Sequence, residues 1–153
     1  MALLQTRVAP EWVDYNGHMN DAEYARVFSL AVEALMDAIG LDEQGRRRHD
    51  YTIYTLETHL CYRREAHQDQ PLRVQVQVAD RDAKRLHVLF EMQDAEGTLL
   101  ATSEQMLMGI DIGSGRPAPF PEPVDAAIAG LPGLADPPPA ALGRQIGIVR
   151  RPG

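Results

Sequence analysis

Only one stretch of this chain can form a long amphipathic helix, and nearly every other apolar segment alternates. From Asp21 to Ile39, Tyr24, Val27, Phe28, Ala31, Ala34, Leu35, Ala38 and Ile39 recur at three- and four-residue steps on one helical face. Asn20 stands where an N-cap is expected, and Glu23, three residues on, could complete a capping box. Gly40 follows the last apolar position, where a left-handed C-terminal cap is expected. A lone helix cannot bury its own apolar stripe, so a sheet has to cover it.

The strands are legible as period-two runs. Leu72, Val74, Val76 and Val78 share one face of a first run, and Leu86, Val88, Phe90 and Met92 share one face of a second, Arg85–Gln93. The polar stretch Asp80–Lys84 between them reads as a hairpin turn. Tyr51–Arg64 predicts a longer strand with Tyr54, Leu56, Leu60 and Tyr62 on one face and Glu57, His59 and Cys61 on the other. Leu99–Ile112 predicts another, entered through Glu96-Gly97, and Leu4–Val8 a short first one. The order is strand, helix, then four strands in a meander. It implies an α+β domain whose antiparallel sheet wraps one helix. Such a sheet leaves open edges and one open face, so self-association is expected.

Nine of the eleven prolines lie between Pro117 and Gly153, and proline lacks the donor a ladder needs. Residues 1–113 are therefore read as the folded domain and 114–153 as a proline-rich extension, draped or partly disordered, with a short helix near Val124–Ala129. Acidic residues outnumber basic ones 22 to 15, for a net charge of −7, which disfavours nucleic acid and anionic membranes as partners. One cysteine, Cys61, excludes an internal disulfide, and no Cys/His spacing suits a metal. No run approaches the roughly 18 apolar residues of a membrane span. The expectation is a soluble, cytoplasmic protein without a metal.

Chemistry concentrates between the first strand and the helix. Asp14, Asn16, Gly17, His18 and Asn20 crowd into seven residues directly before a helix N-terminus, where unpaired N–H groups can hold an anion or a developing oxyanion. A carboxylate just upstream could attack a carbonyl gripped there, or activate water against it. Gly17 would allow a sharp turn and close approach of a substrate. The same residue types also build ordinary turns and caps, so the loop alone defines a candidate site and no reaction.

Asp14-x-x-Gly17-His18-Met19-Asn20, followed by Tyr24, resembles the motif before the central helix of hotdog-fold thioesterases of the 4-hydroxybenzoyl-CoA thioesterase type. The resemblance covers roughly residues 3 to 112; Met19 stands where valine is usual. Tyr54–His59, Tyr62–Glu65, Lys84–His87 and Ala101–Leu107 are further similar to the thioesterases of carnitine degradation, found alone or fused to L-carnitine dehydrogenase and acting on betainyl-CoA.

The resemblance implies a cofactor-independent acyl-CoA thioesterase, at least dimeric. Asp14 would be nucleophile or general base, the backbone N–H near Asp21 the oxyanion donor, and His18 and Asn20 would orient the loop or substrate. CoA phosphates would need local cations from Arg63-Arg64, Arg46-Arg47-Arg48 in the loop after the helix, or the preferred pair Lys84-Arg85. A quaternary ammonium needs aromatic faces or a carboxylate, for which Trp12, Tyr15 and Glu57 are candidates, with Tyr24 closer to the core. Three alternatives stay open: a non-catalytic hotdog module that only binds acyl-CoA, a hotdog dehydratase, and a structural or scaffolding role.

Overall fold

The computed structural model describes residues 2–152. The chain runs β1 (Leu4–Arg7), a 3-10 turn (Pro10–Trp12), α1 (Asp21–Ala38), α2 (Glu43–His49), β2 (Tyr51–Tyr62), β3 (Pro71–Arg81), β4 (Arg85–Gln93), β5 (Leu99–Asp111), β6 (Arg116–Pro117) and α3 (Glu122–Ala129). The antiparallel strands lie in the order β1-β3-β4-β5-β2, with β6 also on β5. The sheet curls around α1, which is the hotdog fold that the resemblance implied.

The strands are not one continuous meander. Only β3, β4 and β5 follow each other across the sheet; β2 pairs with β5 and forms the far edge. Its connection to β3 instead passes the N-terminus of α1, where Met19 N–H donates to Ala66 O at 2.8 Å and Gln68 N–H to Gly17 O at 3.1 Å. This strand order is what brings the site loop against a second loop.

Helix α1 buries Tyr24, Val27, Phe28, Ala31, Leu35 and Met36 against the sheet, with the Phe28 and Phe90 rings 6.3 Å apart. It stops one residue short of the expected end: Ile39 is the C-cap and Gly40 takes φ +88°. The expected capping box does not form. Asn20 occupies the N-cap position without a side-chain bond, and Glu23 pairs with Arg26 instead. Arg46, Arg47 and Arg48 sit in α2 rather than in a loop. Asp42 caps that helix by accepting from Gly45 N at 2.8 Å, and basic residues fill its last turn, where they suit the helix dipole.

A β-bulge at Leu56 corrects the face assignment of β2. The extra residue turns Tyr54 outward, beside Glu57 and His59, while Leu60 and Tyr62 face α1. Arg63 and Arg64 fall beyond the strand's end, both donating N–H to Leu100 O.

The proline-rich extension begins on the sheet. Phe120, Val124 and Ile128 enter the same apolar core as α1. Further on, the chain crosses the sheet's outer face: Val78 N–H donates to Pro132 O, Ala135 N–H to Gln77 Oε1 at 2.9 Å, and Gly143 N–H to Glu104 Oε1 at 2.7 Å. Gln77 and Glu104 flank Leu89 in one cross-strand row, so residues 135–143 pass over Leu89 and leave it fully buried.

Candidate functional site

The loop before α1 is a closed turn. Val13 and Met19 bridge, Asp14 N–H donates to His18 O at 2.9 Å, and Gly17 N–H to Asp14 O at 3.0 Å. Asp14 Oδ1 accepts from Asn16 N at 2.8 Å and His18 N at 3.2 Å. These bonds fix the carboxylate. Its second oxygen, Oδ2, has no protein partner among the described residues and remains available for chemistry. Gly17 sits at φ +79°, a conformation that a side chain would oppose, with no atom within 4 Å of where its Cβ would lie.

The mouth of α1 is presented to the same loop. Asn20 N–H donates to Trp12 O at 2.9 Å, which sets the angle at which the chain enters the helix. Asp21 turns its carboxylate to the N–H of Ala22, and its own backbone N–H has no acceptor among the described residues. That N–H, at the positive end of the helix dipole, is the donor an oxyanion needs.

Tyrosines lock the mouth to the sheet. Tyr62 OH donates to Asp21 O at 3.2 Å, and its ring meets Tyr24 edge-on at 5.1 Å. Tyr24 OH donates to Arg64 O at 3.2 Å and accepts from Ala66 N at 3.0 Å. Burial pushes the Tyr24 phenol above its ordinary pKa, with the neighbouring Glu65 charge adding to the shift, so it stays a neutral donor.

His18 is tied to the β2–β3 loop. Its Nδ1 lies 3.1 Å from Glu65, and its ring meets His67 at 4.9 Å. Nothing in the sequence around Glu65 and His67 marks them for the site; their contacts depend on the crossing β2–β3 connection, which local patterns do not encode. Tyr15 is 97% exposed at the loop tip, while half-buried Trp12 packs against the core. Arg63 is exposed and directly follows Tyr62, whose hydroxyl bonds the first residue of α1. Arg85 is committed elsewhere: its guanidinium holds Asp82, whose carboxyl falls to about 2, and Lys84 lies in that same turn.

Glu57 is not brought together with Trp12 and Tyr15. It lines a cavity of about 520 Å³ on the outer face with His59, His87, Glu104 and Arg144. There His87 Nε2 meets Glu104 Oε2 at 2.6 Å, and His59 Nε2 lies 3.7 Å from Cys61 Sγ. No group of three metal-ligating side chains occurs among the described residues, and no described helix is long and apolar enough to cross a membrane.

On the α1 side, a groove of about 530 Å³ runs between the helix and the β2/β5 edge. Among the described residues, Glu33 is the only charged one lining it. Gln105 Oε1, on the opposite wall, is buried without a protein donor. Glu33 had a sequence signal, as the one charge between Val27 and Met36; Gln105 had none.

Residues 8–128 match the family described as the thioesterase-like superfamily. The betainyl-CoA thioesterase of Pseudomonas aeruginosa is 42% identical over 147 residues, covering 94% of this chain and 92% of that protein. An L-carnitine dehydrogenase/betainyl-CoA thioesterase of Rhizobium meliloti is 38% identical over 133 residues, covering 84% of this chain but 26% of that longer protein. Among solved structures, a Staphylococcus aureus protein in complex with CoA superposes with a TM-score of 0.87 at 34% identity, covering 95% of this chain and 94% of the other. A fixed acid beside an open helix N-terminus, on a curled sheet matched across nearly its whole length, places the chain in the thioesterase-like superfamily, to which it belongs.

Proposed function

We propose that this acyl-CoA thioesterase hydrolyses betainyl-CoA to betaine and CoA, with Asp14 as the reacting carboxylate. The carrying observation is the division of labour on Asp14: Oδ1 is held by two N–H groups, while Oδ2 is uncommitted, in the loop that leads into α1. The thioester carbonyl oxygen would accept from Asp21 N–H. Oδ2 would then attack the carbonyl carbon or take a proton from an attacking water. In the first course Oδ2 displaces CoA as a thiolate and leaves a mixed anhydride, which water then cleaves to betaine and free Asp14. In the second, water adds to the carbonyl and its proton passes through Oδ2 to the departing sulfur. Either way the C–S bond breaks, one water is consumed and CoA departs as the thiol once protonated, with no cofactor. Gly17 admits the substrate, while His18 and Asn20 hold the loop. Arg63, exposed and without an ion-pair partner among the described residues, would supply a cation for a CoA phosphate.

The acyl preference rests on the similarity to betainyl-CoA thioesterases and on aromatic surface at the loop. Tyr15 and Trp12 offer ring faces to a trimethylammonium group. Comparing kcat/KM for betainyl-CoA and for 3,3-dimethylbutyryl-CoA, its neutral isostere, isolates the charge. A preference of about tenfold or more for the cation is expected, since a desolvated cation–π contact is worth about 2 kcal/mol. Equal values would remove the betainyl assignment and leave a general short-chain thioesterase.

The enzyme acts as a homodimer in this reading. β2 is a twelve-residue edge strand with Tyr54 and Leu56 more than half exposed. A long unpaired edge of this kind calls for a partner strand, and a second β2 would supply one.

A further inference from the structure

The extension does not stop at covering its own sheet. From β3 to β5 it is held strand by strand, and Arg144 reaches the cavity that Glu57 and His59 of β2 help to line. Beyond this point the character of the chain changes. Ile146, Ile148 and Val149 are 89%, 80% and 84% exposed, so this subunit's sheet gives them no cover. Three β-branched side chains in four residues, with Arg150 and Arg151 following, form an apolar and basic strip on a chain that is acidic as a whole.

We propose that residues 144–152 form an arm that crosses the β2 edge and lies on the outer face of a second copy of this chain. The inference rests on the β2-edge dimer proposed above. Geometry supports it in three ways. The extension is already travelling across the strands toward the edge. Nine extended residues span about 30 Å, against about 4.8 Å per strand, so the arm clears β2 with length to spare. And two twelve-residue strands paired antiparallel in full register would set His59, where the arm leaves, opposite Tyr54 of the partner subunit.

That landing place suits the arm. The Leu56 bulge turns Tyr54 outward, in line with Met106, Met108 and Glu57 on the same face. Tyr54 is 54% exposed there, an aromatic and thioether surface for Ile146 and Ile148. Glu57 is an exposed carboxylate within this patch and suits the arm's arginines. The bulge thus has a purpose in this arrangement: without it Tyr54 would face α1.

Sedimentation equilibrium of the full chain, of a chain ending at Gly143, and of the Ile146→Asp/Ile148→Asp variant tests the arm. Both side chains are almost fully exposed in the subunit, so the double variant leaves subunit folding intact. The dimer Kd is expected to rise at least about tenfold in both altered chains. Hydrogen exchange should show residues 145–151 protected in the full-length dimer. An unchanged Kd, with arm amides exchanging like a free peptide, would overturn the arm while leaving the dimer standing. A full chain that is monomeric at micromolar concentration would instead overturn the dimer, and the arm with it. In a Cys61→Ser background, one tagged chain carrying Ile148→Cys mixed with another carrying Tyr54→Cys should give a disulfide joining the two tags. Protected arm amides without that mixed disulfide would place the arm elsewhere and contradict the proposal.

Discussion

Two turns in this molecule are built the same way and do different things. Asp14 Oδ1 accepts N–H bonds from residues two and four positions on, Asn16 and His18. Asp82 Oδ1 accepts them from residues two and three positions on, Lys84 and Arg85. At Asp82 the second oxygen is taken by the Arg85 guanidinium at 2.6 Å, and that hydrogen bond is the main reason its carboxyl sits at about 2. At Asp14 the second oxygen is left over. In the proposed mechanism that difference is what frees Asp14 for chemistry: its turn bonds use one oxygen and no cation claims the other.

Replacing each aspartate by asparagine sharpens this contrast. Asp14→Asn is expected to lower kcat by about 10²–10⁴, the usual worth of a positioned acid–base group, while CoA-ester binding persists. Free-thiol release beside equilibrium binding checks both halves. A binding module would lose nothing in this variant. Asp82→Asn should leave turnover at wild-type level, because that turn serves the β3–β4 hairpin and its bonds to Gly109 and Phe120, and among the described residues makes no hydrogen bond to the loop before α1.

Tyr24→Phe comes next in size. It removes the hydroxyl that joins Arg64 O and Ala66 N, leaving partly buried backbone groups without a partner at a cost of about 1–3 kcal/mol. Chemical denaturation should show that loss, with reduced turnover as the β2–β3 loop loosens. The same phenol predicts a pH effect. Its folded-state pKa is raised, so its contribution is complete below the unfolded value near 10 and declines as pH rises beyond it. The Tyr24→Phe variant should lack this part of the alkaline decline.

Gly17→Ala is the smaller backbone test. Nothing within 4 Å obstructs a methyl group, so the penalty is the left-handed conformation alone, about 1–2 kcal/mol. A lower Tm is expected, with a KM increase if the loop shifts. Asp82→Asn should be the mildest change, visible as faster amide exchange at Lys84 and Arg85.

What the sequence disclosed follows the range of the forces involved. α1 was legible because apolar spacing at three and four residues is a local signal, and Gly40 because a positive φ favours glycine. β4 was legible from an alternation that Leu89 alone breaks, with both ends placed. The bulge at Leu56 was not, because one inserted residue reverses every later side chain without altering composition. Asn20 was placed correctly as the N-cap residue, but side-chain capping depends on competing contacts, and Glu23 found Arg26 first. At the site, Asp14, Gly17 and His18 could be named from the loop. Glu65, His67 and Gln105 could not, since they meet the loop or face the groove only through the β2–β3 crossing and the pairing of β5 with β2, whereas Glu33 stood out as the one charge between Val27 and Met36.

The central claim is a distance. A crystal structure with a non-hydrolysable ketone analogue of betainyl-CoA, the sulfur replaced by methylene, measures it. The ketone oxygen is predicted within about 2.7–3.1 Å of Asp21 N, with the ketone carbon either within about 3.5 Å of Asp14 Oδ2 or joined to it through one bridging water. A ketone bound in the outer-face cavity with Glu57 and His59, or one held with Asp14 Oδ2 turned away into solvent, would contradict it.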